Sequence, residues 1–267
     1  MRNSDSATGN GRPHPLWLAL VGAAAGLLSG LFGLGGGIII VPALVTWLAV
    51  AQKTATGTSV AAILPTAALG TVVYGLQGDV DWMAAAALAV GVFTGAQFGS
   101  ALLATIRVAK IQWGFMAFLL AVIVSLWFVV PQRGDVMNIG TGEFLALVAL
   151  GIATGTLAGV LGVGGGIIVV PVLMFFFGAS DLIAKGTSLA MMIPGSISGT
   201  IANARRGNVD LLAAGIVGLA ACALVPLGAL IAHTIEPVWA NLALSALLIV
   251  VLGQMLIRRL RAPGSGS

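Results

Sequence analysis

Two short strings carry the residues best suited to chemistry. Gly35-Gly36-Gly37 and Gly164-Gly165-Gly166 each interrupt a long apolar run, and a proline, Pro42 or Pro171, follows each. A helix restarted after such a break exposes N–H groups with no partner inside the helix. Its N-terminus also carries about half a positive charge. Backbone donors and a partial positive charge suit a small anion without help from a basic side chain. Thr58-Ser59 and Thr187-Ser188 stand at the start of the next helix in each case, where hydroxyls either donate to an anion or cap the helix. Asn203 and Gln97 place amides in otherwise apolar segments, and such amides also serve as interhelical hydrogen bonds. Gly35, Gly36, Gly37, Thr58, Ser59, Gly164, Gly165, Gly166, Thr187, Ser188, Asn203 and Gln97 are therefore the expected substrate-binding residues. Lys185, one residue before Gly186, is the expected entrance charge, with an exposed loop lysine as the plain alternative.

Other chemistry is poorly supplied. Cys222 is the single cysteine, which excludes a disulfide framework and a four-cysteine metal site. His14 and His233 lie at the ends of segments, away from a metal pair or a catalytic dyad. Ser196 and Ser198 have no histidine beside them in a span, so a nucleophile with its base is lacking. The glycine strings carry Ile38 and Ile167 where a dinucleotide fingerprint needs its last glycine. No catalytic residue, metal or cofactor is expected. No acid or histidine lies deep in an apolar run, so a proton would travel on a weakly acidic substrate or use a border acid such as Asp79 or Asp81.

The elements that must hold these residues are membrane helices. Hydrophobic residues make up 59% and charged residues 7% of the 267, against roughly 25% charged in a soluble domain. A water-soluble enzyme and a disordered chain are both excluded, and nucleic acid is not an expected partner. The apolar runs are Leu16–Leu34, Gly36–Ala51, Thr54–Leu76, Trp82–Ala104, Ile111–Val130, Phe144–Val163, Gly165–Phe177, Ile183–Ala202, Leu211–Ala232 and Val238–Ile257. Most reach the ~20 residues that cross a bilayer core. Leu16 to Ala51 as one helix would be too long for one span, and the glycines cut it into a hairpin of two short helices. Arg2 and Arg12 before the first run suggest a signal peptide, but the same run recurs in mid-chain, where nothing is cleaved.

The chain repeats itself. A shift of 129 residues lays GLLSGLFGLGGGIIIVPAL, from Gly26, over GTLAGVLGVGGGIIVVPVL, from Gly155, with 12 of 19 positions identical. Gly57-Thr58-Ser59 meets Gly186-Thr187-Ser188, Pro65 meets Pro194, Gly70-Thr71 meets Gly199-Thr200, and Asp81 meets Asp210. Such alignment of glycine, proline and threonine marks an internal duplication. Pro65 and Pro194 should kink their helices, with Thr66, Ser196, Ser198 and Asn203 near the kinks. We expect a polar tail over 1–15, a first repeat over 16–131, a linker over 132–143, a second repeat over 144–258 and a tail over 259–267. If each glycine-broken hairpin returns to its own side, ten of the 12 Lys and Arg residues share one face: Arg2, Arg12, Lys53, Arg107, Lys110, Arg205, Arg206, Arg258, Arg259 and Arg261. Arg133 and Lys185 lie opposite. The positive-inside rule then places both termini in the cytoplasm and inverts the second copy. The expected fold is an all-α polytopic membrane protein of two inverted-topology repeats, each a glycine-broken hairpin plus three full spans, giving eight to ten membrane segments. Secondary transporters use such repeats, with a substrate site at the breaks near the midplane.

The duplicated glycine block, Gly30 to Gly37 with Pro42 and Gly159 to Gly166 with Pro171, together with Ala184-Lys185-Gly186-Thr187-Ser188-Leu189, resembles the sulfite/sulfonate exporter family TauE/SafE, also grouped as the toluene-sulfonate uptake permeases. The resemblance covers about residues 16–258. The first-half counterpart, Ala55-Thr56-Gly57-Thr58-Ser59-Val60, lacks the lysine. The resemblance implies movement of small sulfur oxyanions or organosulfonates across a bacterial inner membrane. A sulfonate head, with three oxygens and a diffuse charge, suits N–H and hydroxyl donors; a dianion without buried cations would be harder to hold. The expected function is thus a proton-linked secondary transporter working by alternating access, with a small-anion channel as the alternative. Its partners would be a small anion and the lipid bilayer, and assembly with further copies of itself is left open.

Overall fold

The computed structural model describes residues 14–102, 140–161 and 164–261, with 113, 116, 117, 120, 123 and 124 between them. Among these residues lie nine bounded helices: α1 Pro15–Phe32, α2 Gly37–Thr46, α3 Gln52–Leu76, α4 Trp82–Leu102, α5 Thr141–Leu161, α6 Gly166–Phe176, α7 Asp181–Arg205, α8 Leu211–Thr234 and α9 Pro237–Arg261. Five of them, α1, α3, α5, α8 and α9, are long and apolar enough to cross a membrane. The tail over 1–13, the span expected over Ile111–Val130 and most of the linker fall outside the described residues.

Local chemistry sets the boundaries. Pro15 opens α1, where its fixed φ and missing N–H cost nothing. Gly33 closes it at φ 69, with its N–H on Ser29 O. The turn then passes through Gly36 at φ 74, a conformation that favours glycine, before α2 begins. The second break uses Gly164 at φ 78. With 10 and 11 residues, α2 and α6 are about 15–17 Å long, half a bilayer core. The expected hairpin is present with unequal arms: α1 and α5 are long and α2 and α6 short. The first hairpin folds back on itself, since Leu18 and Val21 of α1 share a core cluster with Ala43 and Leu44 of α2.

The most extensive contacts join the two halves: α1 with α8, α4 with α5, α3 with α7, α3 with α8 and α4 with α7. Exchanging the halves at the 129-residue offset returns the same set. Glycine makes these crossings close. Gly22, Gly26 and Gly30 face the carbonyl oxygens of Val217, Ala221 and Val225. The counterparts Gly151 and Gly155 face those of Leu88 and Val92 in the same way. Small residues that bring backbones together supply the packing that apolar side chains cannot supply in lipid.

Two reciprocal hydrogen bonds fix the direction of the central pair. Asp210 N–H donates to Thr58 Oγ1, and Asp81 N–H donates to Thr187 Oγ1, each at 3.0 Å. The start of each central helix thus meets the far end of the other, so α3 and α7 run antiparallel. Large apolar side chains cover the outside: Trp47, Leu76, Phe176 and Leu219 are among the most exposed, an apolar surface suited to lipid.

Gly26→Val would drive a side chain into the Ala221 backbone. It should cost about 1–3 kcal/mol or more, whereas Gly215→Ala, with open space around it, should be neutral or mildly stabilising. Thermal unfolding of the two purified variants in one detergent measures the difference; equal melting temperatures would contradict the backbone-contact account.

Candidate functional site

The two glycine turns meet at the centre of the fold. A Cβ on Gly166 would lie 2.5 Å from Gly33 O and 3.0 Å from Leu34 Cα, and one on Gly164 would lie 3.2 Å from Leu34 O. Ile63 and Met192, counterparts at the 129-residue offset, contact both turns: each lies near the Cβ positions of Gly35 and of Gly164. Ile39 and Ile40 donate to Gly36 O, and Ile168 and Val169 donate to Gly165 O. The N–H groups of Gly37, Ile38, Gly166 and Ile167 therefore stand outside the ladders of α2 and α6.

A cavity of about 60 Å³ opens at the second turn, room for about two water molecules. Gly164, Gly165, Ser196 and Asn203 line it, with Val60, Ile63, Met191 and Met192 among the apolar walls. It runs from the break along α7 towards Asn203. None of the first turn's glycines is among the lining residues. In the first half the counterparts of several lining residues are buried side chains. Tyr74 occupies the position corresponding to Asn203, is fully buried, and donates its hydroxyl hydrogen to Gly30 O at 2.6 Å. Leu189, Thr66 and Ser29, all buried, stand where the cavity has Val60, Gly195 and Ala158.

The remaining expected site residues sit around these turns. Thr58 and Thr187 are buried and accept the Asp210 and Asp81 N–H groups, which joins the halves. Ser188 donates to Gly33 O, and Ser59 is fully buried. Asn203 is half-buried and gives one amide hydrogen to Gly199 O at 2.8 Å. The cavity gathers Gly164, Gly165 and Asn203; of the first turn, Gly35 adjoins it through Ile63 and Met192, while Gly36 faces Ala25. Gln97 belongs to α4, and its side chain lies outside the described residues.

Lys185 is not at an open surface. It lies in the first turn of α7, 2% exposed, with its ammonium 3.3 Å from the Asp181 carboxylate. A buried pair of this kind satisfies its own charges before any anion arrives. Asp79, Tyr74 and His233 belong to the same end: His233 Nε2 lies 2.7 Å from Asp79 Oδ2, and the Tyr74 and His233 ring centres are 5.5 Å apart. Sequence reasoning missed Tyr74, Ile63, Met191 and Met192 as parts of the site. Setting Tyr74 against Asn203 in the aligned halves is the signal that finds the filled and open counterparts. Among the described residues, no group of three or more His, Cys, Asp or Glu side chains could hold a metal ion.

Long apolar helices, two half-length helices meeting at glycine turns and a small cavity beside them define an all-helical membrane protein. The chain belongs to the sulfite exporter TauE/SafE family, which it matches over residues 1–126 and 147–267. It is 28% identical to the Bacillus subtilis protein named "Probable membrane transporter protein YunE" over 218 residues, 73% of this chain and 80% of that one. A second B. subtilis protein, "Probable membrane transporter protein YdhB", is 27% identical over 72% of this chain and 80% of its own. A Haemophilus influenzae protein with the same membrane-transporter description is 31% identical over 58% of this chain and 60% of its own. No solved structure matches.

Thr187→Val should leave the Asp81 N–H without its acceptor and lower stability by about 1–3 kcal/mol, while Thr187→Ser should retain the bond. The same pattern is expected at Thr58. Melting curves recorded without added anion test this, because a hydroxyl that served the solute alone would leave both curves unchanged.

Proposed function

We propose that the chain is a secondary transporter of small sulfur-containing oxyanions, sulfite or organosulfonates, working by alternating access and linked to protons. The observation that carries the reading is the cavity at the start of α6, bounded by Gly164, Gly165, Ser196 and Asn203. A helix N-terminus, a hydroxyl and an amide offer hydrogen-bond donors, and the apolar walls favour a weakly hydrated monoanion over a dianion. Among the described residues no lysine or arginine lines this space, so binding there would rest on dipoles.

The two halves read as inverted-topology repeats across a bacterial inner membrane with both termini cytoplasmic. The antiparallel pairing of α3 and α7 supports this, as does the charge distribution. Lys53, Arg205 and Arg206 fall at the Asn203 end, while Asp79, Asp81 and Asp181 fall at the Tyr74 end. A cavity at one end and a tyrosine-filled counterpart at the other favour a carrier closed on one side over a channel with a continuous pore. Under the charge rule the open end is the cytoplasmic one.

The test is transport into proteoliposomes of sulfite, thiosulfate, sulfate, taurine and sulfoacetate, each with and without a pH gradient. Saturable movement of at least one sulfur oxyanion, increased by the gradient, is expected. Conductance set by electrochemical potential alone would favour the channel, and no movement of any member would refute the substrate class. Asn203→Tyr, which places in the open half the residue that fills the closed one, should reduce transport at least tenfold with normal membrane insertion. Gly165→Val should do the same, since its side chain would meet Thr154 and Met191.

A further inference from the structure

We propose that Asp79 and His233 form a proton-binding site that latches the Tyr74 end of the protein shut. This deepens the proposed proton linkage, and its test uses no anion. The geometry demands a proton. His233 Nδ1 lies 2.7 Å from Ala229 O. A carbonyl oxygen only accepts, so Nδ1 carries the hydrogen. Neutral imidazole then presents a lone pair at Nε2, and an ionised carboxylate also presents lone pairs. The 2.7 Å contact between Nε2 and Asp79 Oδ2 therefore holds one further proton, on the ring or on the carboxyl. That proton is taken from water on closing and returned to water on opening. Without it two acceptors face each other and the contact is repulsive.

The contact spans 154 positions of sequence and ties the turn between α3 and α4 to the last turn of α8. The C-terminus of α8 favours a cation there. Both side chains are about one-fifth exposed, so water reaches the pair. The titratable groups around it are Tyr74 on α3, Asp81 capping α4, Asp181 and Lys185 on α7, and Glu236 just beyond α8. The helix α1, packed against α8, carries none. Asp181 and Lys185 neutralise each other at 3.3 Å, and Asp81 spends one oxygen on the N–H groups of Met83 and Ala84. In the sequence, Asn208 corresponds to Asp79 and Ala104 to His233, so the acid and imidazole are not repeated at the 129-residue offset. The proposed proton site therefore belongs to the Tyr74 end.

Because the contact holds one proton that the separated state releases, a higher proton concentration favours the closed end and a lower one the separated end. Spin labels at Gln77→Cys and Trp239→Cys, both exposed in the parent, report the separation in a Cys222→Ala background. Distances are measured in nanodiscs from about pH 5 to about pH 9. The ratio of separated to closed populations should rise about tenfold per pH unit, the signature of one proton. Asp79→Asn should stay closed at every pH, because an amide hydrogen can donate to Nε2 without titration. His233→Ala should stay separated at every pH. A flat wild-type profile, or an Asp79→Asn profile that titrates like the wild type, would overturn the proposal. Titration of the latch with no anion moved in the liposome panel would leave the latch standing and remove the substrate reading.

Discussion

A backbone amide placed in hydrocarbon must find a partner in the protein, in trapped water or in a solute. Two interrupted helices therefore constrain the rest of this molecule. Neither α2 nor α6 can cross alone, and each begins with donors that its own ladder does not use. The turns that precede them are pressed backbone to backbone, Gly33 and Leu34 against Gly164 and Gly166. A side chain on Gly166 would collide with Gly33 O there. The antiparallel α3 and α7 surround the meeting point, and the glycine-lined crossings of α1 with α8 and α4 with α5 hold the two halves around it.

The scaffold is built twice, but it is filled differently. Thr58 with Asp210 and Thr187 with Asp81 make the same bond at opposite ends. Gly57 faces Asn208 O as Gly186 faces Asp79 O. Where the polar contacts repeat, the difference between the ends falls to side-chain size and charge. Tyr74 and Leu189 fill one side; Asn203 and Val60 leave space on the other. The cavity thus lies in one half of a duplicated frame, where a few side chains differ and the capping glycine, Gly165, sits at φ −80 against φ 74 for its counterpart Gly36.

Much of this was legible in the residues. Glycine and proline spacing located both helix breaks and the duplication, because these residues are chosen for backbone geometry and survive where apolar side chains interchange. The length of α6 was legible, since the apolar run Gly165–Phe177 matches the helix Gly166–Phe176 to one residue at each end, but that of α2 was not: its run continues to Ala51 while the helix stops at Thr46, and hydropathy does not register where a helix stops. The threonine pair was located, but its partners lie 152 and 106 positions away, beyond any local pattern. Lys185 was read as open because charge in an apolar chain suggests water. Its carboxylate partner, Asp181, was four residues earlier, at the spacing that pairs side chains on one helix face. Tyr74, Ile63 and Met192 escaped because apolar side chains facing lipid and facing a cavity look alike in one sequence.

A chain whose halves were identical would have two mirror-related states of equal energy, one closed at each end. On the proposed reading, the larger Tyr74 and Leu189 against Asn203 and Val60 tilt that balance towards closure at the Tyr74 end. For alternating access the tilt must stay within a few kcal/mol, or the opposite state would not be populated. On the reading proposed here, a fixed tilt from packing sets the resting state, and a variable one from the Asp79–His233 proton modulates it. Packing cannot respond to a gradient, whereas a bound proton can. Asn208 stands where Asp79 would be repeated, so the latch as proposed belongs to one copy of the duplicated frame, the kind of asymmetry that coupling to a proton gradient requires.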